Sequence, residues 1–455
     1  MKSEERLASE KMLPLIFSMS IPTIVAQLIN LLYSIVDRIY IGHIPEIGSD
    51  ALAGIGLTGS IIILISAFAQ FVSGGGAPRA AIALGKGDRE RAEKILSNGF
   101  SMLIFFSVLC VAVTYAVKTP LLKLIGASED TIGYAMQYLD IYLVGTLFVQ
   151  ISVGLNTFIT AQGRSGIAMM SVLIGAVVNI ALDPVFIFGF GMGVAGAALA
   201  TVIAQLVSAA WILSFLFSKK ATLRIRPSLM MPDRRIIVSI LSLGIAPFVM
   251  ASTESFVGFV LNGGLQKYGG DIYVSALTVM QSSMQIVGVP LSGFTQGVTP
   301  IISYNFGAGN KKRVKEAFGI SLAVMFTFNF VLILAMVLFP RAVAAVFASD
   351  PELIDTVGKI MPMFLAGMLI FGLQRACQNT FVALGQAGIS LFIAMLRKMI
   401  LLIPLAIILP RFVTPQVYGV YLAEPIADGV AAITCTVIFF FVFRRVLGKM
   451  TDIQN

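Results

Sequence analysis

Long apolar runs separated by short polar or charged segments make up most of the chain. A helix that spans a bilayer needs about 20 predominantly apolar residues, whereas the strands of a membrane β-barrel are alternating segments of about ten residues. The runs here are continuous, so the pattern predicts an all-α integral membrane protein with twelve transmembrane helices. The twelve runs cover residues 14–42, 51–84, 95–117, 131–162, 165–188, 193–217, 236–265, 272–306, 316–340, 353–384, 387–410 and 416–443.

The composition and the placement of charge agree with a membrane protein. Hydrophobic residues make up 57% of the chain and charged residues 12%, against about 25% charged in soluble domains. With the N-terminus placed inside, 21 of the 32 Lys and Arg residues fall in inside segments, five in outside segments and six within runs. Because Lys and Arg are enriched in cytoplasmic loops, we expect both termini in the cytoplasm. The net charge of +9 therefore reflects topology and does not indicate a nucleic-acid partner.

The two halves of the chain resemble each other in sequence. At an offset of 222 residues, Pro78 matches Pro300 and Gly85 matches Gly307, and a basic segment follows each time. Two further pairs of similar segments occur in the same order, 156–166 with 379–388 and 196–205 with 419–428.

Six runs separate the two copies, so the copies have the same orientation in the membrane. This is a parallel repeat, in which the binding site is expected between or within the repeated units. The sequence thus predicts two pseudo-symmetric six-helix lobes, residues 1–217 and 236–455, joined by a basic cytoplasmic linker at 218–235.

Acidic and polar residues inside the runs of the first half predict a cation site. A charge at the centre of a span costs at least ~2.5 kcal/mol and usually faces a protein interior or a water-filled path. Asn179 and Asp183 are four residues apart and share one helix face, Asp37 lies inside the first run, and Thr201 lies in the sixth. Their oxygens suit a hard cation such as Na⁺, or the carboxylates could bind a proton. The alternative is a structural salt bridge or hydrogen-bonded clamp, with Arg38 as a partner.

The second half carries a different set of charges. Glu424 and Asp428 lie four residues apart in the last run, and Arg375, Arg397 and Lys398 lie in neighbouring runs. One interpretation is a buried ion-pair network, and the other is a set of residues that takes part in transport.

Glu254 lies in the seventh run with no basic residue beside it in the sequence. A bare carboxylate within a span is a reasonable contact for a cationic substrate. We therefore assign Glu254, together with Arg375, Glu424 and Asp428, to substrate binding or conformational coupling.

Three segments carry a resemblance to a known family: "VDRIYIG" at 36–42, "NIALDPVFIF" at 179–188 and "LAEPIAD" at 422–428. In this order, on twelve spans in a six-plus-six repeat, the chain resembles MATE transporters, the multidrug and toxic compound extrusion family, and most resembles the MepA-like bacterial branch. The resemblance covers roughly residues 12–445. It implies two lobes in a V that alternate between outward- and inward-facing states in the bacterial cytoplasmic membrane.

The resemblance also implies an activity and a site. The family exports organic cations and amphiphilic drugs in exchange for Na⁺ or H⁺. An aspartate of the first span, an asparagine and an aspartate of the fifth and a threonine of the sixth form its cation site. The matching positions here are Asp37, Asn179, Asp183 and Thr201. A glutamate of the seventh span matches Glu254, whereas the acid that some branches carry in the tenth span is replaced by Arg375 in this region.

We therefore expect a secondary active multidrug efflux antiporter. It would act as a monomer in contact with membrane lipid, without a cofactor other than its coupling ion. A flippase for lipid-linked precursors and a narrow-specificity metabolite exporter remain alternatives: acids in the cavity would favour drug export, and arginines would favour lipid phosphate. An enzyme is not expected, because the Ser and Cys residues and the lone His43 form no nucleophile–base arrangement.

Overall fold

The computed structural model describes residues 3–125 and 127–450 of the chain. Within these residues, ten helices are long and apolar enough to cross a membrane, and two pairs of bent helices bring the number of spans to twelve. The predicted all-α architecture with twelve spans is confirmed. A short helix, α1 (Ser3–Ser9), precedes the first span.

The first lobe contains spans one to six. The fourth span consists of two helices that meet at an angle of 61°, and the fifth ends in a π-helical turn, Val185–Gly189. The helices are α2 (Met12–Gly42), α3 (Gly48–Gly85), α4 (Arg89–Ile125), α5 (Glu129–Val144), α6 (Thr146–Ala161), α7 (Ser165–Pro184) and α8 (Val194–Phe217).

The second lobe repeats this order with more interruptions. Its fourth span bends by 49°, and its fifth again contains a π-helical turn, Leu396–Leu402. The helices are α9 (Arg234–Gly269), α10 (Asp271–Gly307), α11 (Lys311–Leu338), α12 (Pro340–Phe347), α13 (Pro351–Phe364), α14 (Phe371–Ala383), α15 (Ala387–Met395), α16 (Ile403–Ile408) and α17 (Gln416–Lys449).

Short polar side chains fix where several spans begin. Ser128 accepts a hydrogen bond from the backbone N–H of Thr131 at the start of α5, and Asn310 does the same for α11. Asp233 and Asp350 cap α9 and α13. Such caps satisfy backbone donors that the first helical turn leaves free, so each span begins at the polar residue that precedes its apolar run.

The basic linker packs against the first lobe. Ala221, Leu223 and Ile225 are buried, and the Leu223 N–H donates to Gln162 Oε1 at 2.9 Å. The Arg226 guanidinium lies 2.6 Å from the carboxylate of the buried Glu93. We call this side of the molecule, which carries the linker and the 86–88 and 308–310 turns, the linker face.

Glycines near the linker face bring the backbones of the two lobes into close contact. A Cβ on Gly85 would lie 2.0 Å from the carbonyl oxygen of Tyr304, and a Cβ on Gly307 would lie 2.1 Å from that of Ile82. The two contacts are equivalent under the repeat, because the same offset of 222 residues relates both pairs. The predicted pseudo-symmetry is therefore visible as a reciprocal backbone contact that tolerates no side chain.

The N-terminal residues pack on the second lobe. Leu7 is fully buried in a cluster formed mainly by the helices of that lobe. Asn305 Nδ2 and Arg313 Nη2 both donate to the Leu7 carbonyl at 3.1 Å, and Arg313 Nη1 donates to the Glu10 carbonyl. The start of the chain thus ties the two lobes together at the linker face.

Candidate functional site

Two carboxylates of the first lobe meet in the half of the lobe away from the linker face. Asp37 comes from α2 and the fully buried Asp183 from α7, and their carboxyl groups lie next to each other. Asn179 Nδ2 donates to Asp183 Oδ1 at 3.2 Å and to Thr201 Oγ1 on α8 at 3.5 Å. The structure thus brings together all four residues that the sequence assigns to a cation site.

Three oxygen atoms of this cluster are buried without a hydrogen-bond partner. They are Asp37 Oδ1, Asn179 Oδ1 and Asp183 Oδ2. An unsatisfied buried acceptor costs about 1–3 kcal/mol, and oxygen-only ligand sets suit hard cations. The residues present therefore fit a Na⁺ ion or a proton.

The salt-bridge alternative does not describe this cluster. Within the described residues, no Lys or Arg lies within salt-bridge distance of Asp37 or Asp183. Arg38, the partner considered from the sequence, is exposed. Two adjacent carboxylates without a base repel each other unless a cation or a proton lies between them.

Tyrosines beside the cluster were not recognised from the sequence. The Tyr138 phenol lies beside the Thr201 hydroxyl, and the Tyr142 phenol lies beside that of Ser66. The two rings stack with centroids 6.2 Å apart. Their spacing of four residues within one apolar run was the available signal, because it places both phenols on one helix face. They supply a polar wall to the acid pair from α5.

The last span of the second lobe holds a paired set of charges. Arg397, in the π-helical turn of the fifth span, lies 2.5 Å from Asp428 Oδ1 and 3.3 Å from Glu424 Oε1 on α17. Its guanidinium also stacks over the Phe371 ring, 4.5 Å from the centroid. Of the three basic residues considered as partners, Arg397 pairs with both acids. This is the arrangement expected for a buried ion-pair network.

Glu254 is not the bare carboxylate that its sequence neighbours indicate. The Lys398 ammonium contacts it directly and also donates to the Met250 carbonyl at 3.4 Å. The base comes from another span, 144 residues further along the chain, and local sequence contains no sign of it. Glu254 is therefore an ion-pair partner in this structure.

Arg375 has no acidic partner among the described residues. Its Nη2 donates to Ser292 Oγ at 2.8 Å, and its guanidinium lies 6.0 Å from the centroid of the Phe371 ring. Arg375 lies in the tenth span, where some branches of the family that the sequence resembles carry an acid. The structure places it at the surface of a cavity.

A cavity of about 750 Å³ lies between the two lobes. Its wall is rich in amides and hydroxyls, and among its lining residues, all in the described part of the chain, Arg375 alone carries a formal charge. Asn179 and Thr201 line it as well, whereas Asp37 and Asp183 lie behind them. The cation cluster and the cavity therefore share two side chains.

Sequence comparison decides the family. A family model described as MatE matches the chain twice, at residues 22–185 and 247–408. The chain belongs to the MatE family. The two matches fall on equivalent parts of the two lobes, which confirms the internal repeat of this MATE transporter.

Known relatives and structures agree with this assignment. The multidrug export protein MepA of Staphylococcus haemolyticus (strain JCSC1435) is 24% identical over 95% of this chain and 93% of its own. A multidrug resistance MATE transporter in an outward-facing conformation has a TM-score of 0.91 at 22% identity, over 99% of both chains. A MOP superfamily transporter from Pyrococcus furiosus Vc1, described by a binding pocket of reverse polarity, has a TM-score of 0.90 at 22% identity, over 98% of this chain and 99% of its own.

The comparisons establish the class of this protein. It is a multi-pass membrane protein of a multidrug-export transporter family, and members of that family are transporters rather than enzymes.

Proposed function

We propose that this MATE transporter is a secondary active antiporter in which Na⁺ or H⁺ binds at Asp37, Asn179, Asp183 and Thr201 and drives the export of small organic molecules. The observation that carries the proposal is a cluster of three buried acceptor oxygens without a hydrogen-bond partner, two on the adjacent carboxylates of Asp37 and Asp183 and one on the amide of Asn179. Intramembrane acids without partners mark ion or proton pathways. The coupling ion is the only cofactor that this function requires.

Asn179 is the residue through which ion binding would reach the cavity. Its amide nitrogen contacts both Asp183 and Thr201, and its side chain also lines the cavity. A cation held by these residues would compete for the Asp183 oxygen to which Asn179 donates, and would thereby change the contacts of Asn179 between α7 and α8. A ligand changes a conformational equilibrium by its different affinity for the two states, and here the two states differ in the wall of the cavity.

The lobe contact supports an alternating-access cycle in the bacterial cytoplasmic membrane. The reciprocal approach of Gly85 and Gly307 holds the lobes together at the linker face, and the basic linker supports an orientation with that face and both termini in the cytoplasm. The cavity is formed by a single chain, so a monomer surrounded by lipid suffices. Export of drugs, the activity named for MepA, is the activity expected here, with organic cations as the substrate that the resemblance implies.

The sole tryptophan of the chain provides a test that needs no substrate. Trp211 lies on α8 and its Nε1 donates to the Ile167 carbonyl on α7 at 3.3 Å, so its fluorescence reports the packing of the two helices that carry Asp183 and Thr201. In purified protein, NaCl or a fall in pH should change this fluorescence, whereas choline chloride should not. The ion that produces the change is the coupling ion.

Variants connect this response to the acid pair. Asp37→Asn and Asp183→Asn should each abolish the fluorescence change and gradient-driven dye transport in proteoliposomes, with Na⁺ and pH gradients imposed separately. Asp140→Asn is the matched control, because Asp140 is an acid of the same lobe that is held by Lys118. A normal ion response and normal transport in folded Asp183→Asn protein would overturn the proposed function.

A further inference from the structure

We propose that the central cavity binds an organic anion, whose carboxylate or phosphate group contacts Arg375. The inference rests on the proposed transport function and assigns the charge of its substrate, and it departs from the organic cations that the resemblance implies. The observation behind it is that a cavity of this size contains one positive charge and no negative one among its described lining residues.

The electrostatics of Arg375 require a partner. The guanidinium carries five N–H donors and is always charged, and Ser292 Oγ is its one hydrogen-bond acceptor among the described residues. A charge within a membrane protein is normally paired or solvated. The Phe371 face supplies only a weak contact at 6.0 Å, so the outward part of the guanidinium remains available to a ligand.

The neighbouring acids do not provide that partner. Glu424 and Asp428 face Arg397, and Glu254 is in contact with Lys398. None of these three acids lines the cavity. The second lobe therefore contains balancing charges, but these three acids are paired with other bases. A ligand in the cavity contacts Arg375 instead.

Other side chains on the same helix face extend the site. Gln378 and Asn379, three and four residues after Arg375, line the cavity beside it. Asn379 Oδ1 accepts from the Thr299 hydroxyl at 2.8 Å, and its Nδ2 has no acceptor among the described residues. Arginine binds carboxylate and phosphate through two parallel N–H bonds, and an amide donor next to it adds a third.

Size and polarity favour a drug-sized molecule over an inorganic ion. Binding cavities for such ligands measure about 300–1,000 Å³, and this one measures about 750 Å³. The rest of the wall is formed by uncharged amides, hydroxyls and apolar side chains, which suit an organic body with both polar and apolar parts. Outward movement of an anion is also favoured by a membrane potential that is negative inside.

Two dyes of similar shape and opposite charge test the inference. Anisotropy of carboxyfluorescein (anionic) and rhodamine 123 (cationic) is measured against purified protein in uncharged detergent. The wild type should bind carboxyfluorescein more tightly. Arg375→Gln should weaken that binding by at least about tenfold, since a lost charge-assisted contact has this size, and Arg375→Lys should retain part of it. Arg411→Gln removes an exposed charge elsewhere and should have no effect.

Competition identifies the source of the anionic group. Displacement of the dye by soluble carboxylates such as citrate supports a soluble substrate, and displacement by phosphatidylglycerol alone supports a lipid phosphate. Equal binding of the two dyes by the wild type, an unchanged affinity in Arg375→Gln, or displacement by neither competitor would overturn the inference. A Trp211 response to Na⁺ or H⁺ that persists in that case would leave the antiport proposal in place.

Discussion

The two lobes share one architecture and differ in how they treat buried acids. Each has a fifth span with a π-helical turn, at Val185–Gly189 in the first lobe and Leu396–Leu402 in the second. In the first lobe, Asp183 lies two residues before the turn, next to a second acid, Asp37. In the second, the turn itself contains Arg397, which binds two acids of the last span.

The difference shows how a duplicated fold acquires a division of roles. The second lobe carries its own counter-charges: Arg397 pairs with Glu424 and Asp428, and Lys398 pairs with Glu254, although Asp428 Oδ2 is buried without a hydrogen-bond partner. In the first lobe, no Lys or Arg of the described residues lies within salt-bridge distance of Asp37 or Asp183, and the proposed function assigns a cation from solution to this pair. A π-helical turn often occurs at functional sites because it re-aims side chains, and here the same turn serves an open site in one lobe and a closed ion pair in the other.

Substitution of one acid in each lobe should separate these roles most strongly. Asp183→Asn should abolish gradient-driven transport, because the pair can no longer exchange its cation. Glu424→Gln should keep coupled transport, since Arg397 retains Asp428. Transport rates in proteoliposomes, normalised to the amount of folded protein, provide the comparison. Equal loss in both variants would mean that the second lobe also takes part in ion coupling.

Removal of the base from the second lobe should affect stability. Arg397→Met leaves Glu424 and Asp428 buried without a partner, and breaking a buried ion pair from one side costs about 3–5 kcal/mol. Thermal unfolding in detergent should show a large fall in Tm. Replacing Arg397, Glu424 and Asp428 together by apolar residues of similar size should restore most of it.

Removal of both acids from the first lobe should have the opposite effect on Tm in the same thermal unfolding assay. Asp37→Asn combined with Asp183→Asn removes mutual repulsion of two adjacent acids, so the Tm in the absence of Na⁺ should stay level or rise. A fall as large as that of Arg397→Met would show that the acid pair is a structural element.

The sequence predicted the fold and half of the charged chemistry, for physical reasons that the residues make clear. Apolar runs of span length and the repeated Pro78/Gly85 and Pro300/Gly307 positions sufficed for twelve spans in two lobes. Asn179 and Asp183 could be placed on one helix face by spacing alone. Their meeting with Asp37, 142 residues away from Asn179 in the sequence, came from the family resemblance, because spacing gives no distance between helices.

The second lobe was harder to predict because its pairs are long-range. The Glu254–Lys398 contact joins spans seven and eleven, and nothing near either residue indicates the other. The cavity position of Arg375 depends on how α14 rotates against α10, where Ser292 lies. Such a rotation is decided by side-chain packing across the lobe and leaves no periodic signal in the sequence.

Binding of the coupling ion to the open site of the first lobe should stabilise the folded protein, and this effect should be of intermediate size. If Na⁺ is the coupling ion, a concentration of 100 times its Kd stabilises the folded state by about 2.7 kcal/mol, and the Tm should rise by a few degrees. The rise should vanish in Asp183→Asn and persist in Glu424→Gln. A pH-dependent rise without any Na⁺ effect would identify the proton instead.

A partly exposed ion pair outside the membrane gives the smallest effect and completes the comparison. Asp233, which caps α9, lies 2.6 Å from the Lys94 ammonium, and this contact, with a further hydrogen bond from the Arg235 N–H, holds the pKa of its carboxyl below the usual value. A carboxyl with a lowered pKa in the folded state contributes stability above its unfolded pKa of about 3.9, and that contribution is lost as the pH falls through the folded value. The Tm difference between wild type and Asp233→Asn should therefore be small and constant from pH 7 to pH 5 and should shrink below about pH 4.

Because water and salt screen exposed pairs, raising the salt concentration should reduce this difference, whereas the loss in Arg397→Met should not change. Equal sensitivity of both variants to salt would mean that the Arg397 pair is solvated, and the contrast between a closed second lobe and an open first lobe would then fail.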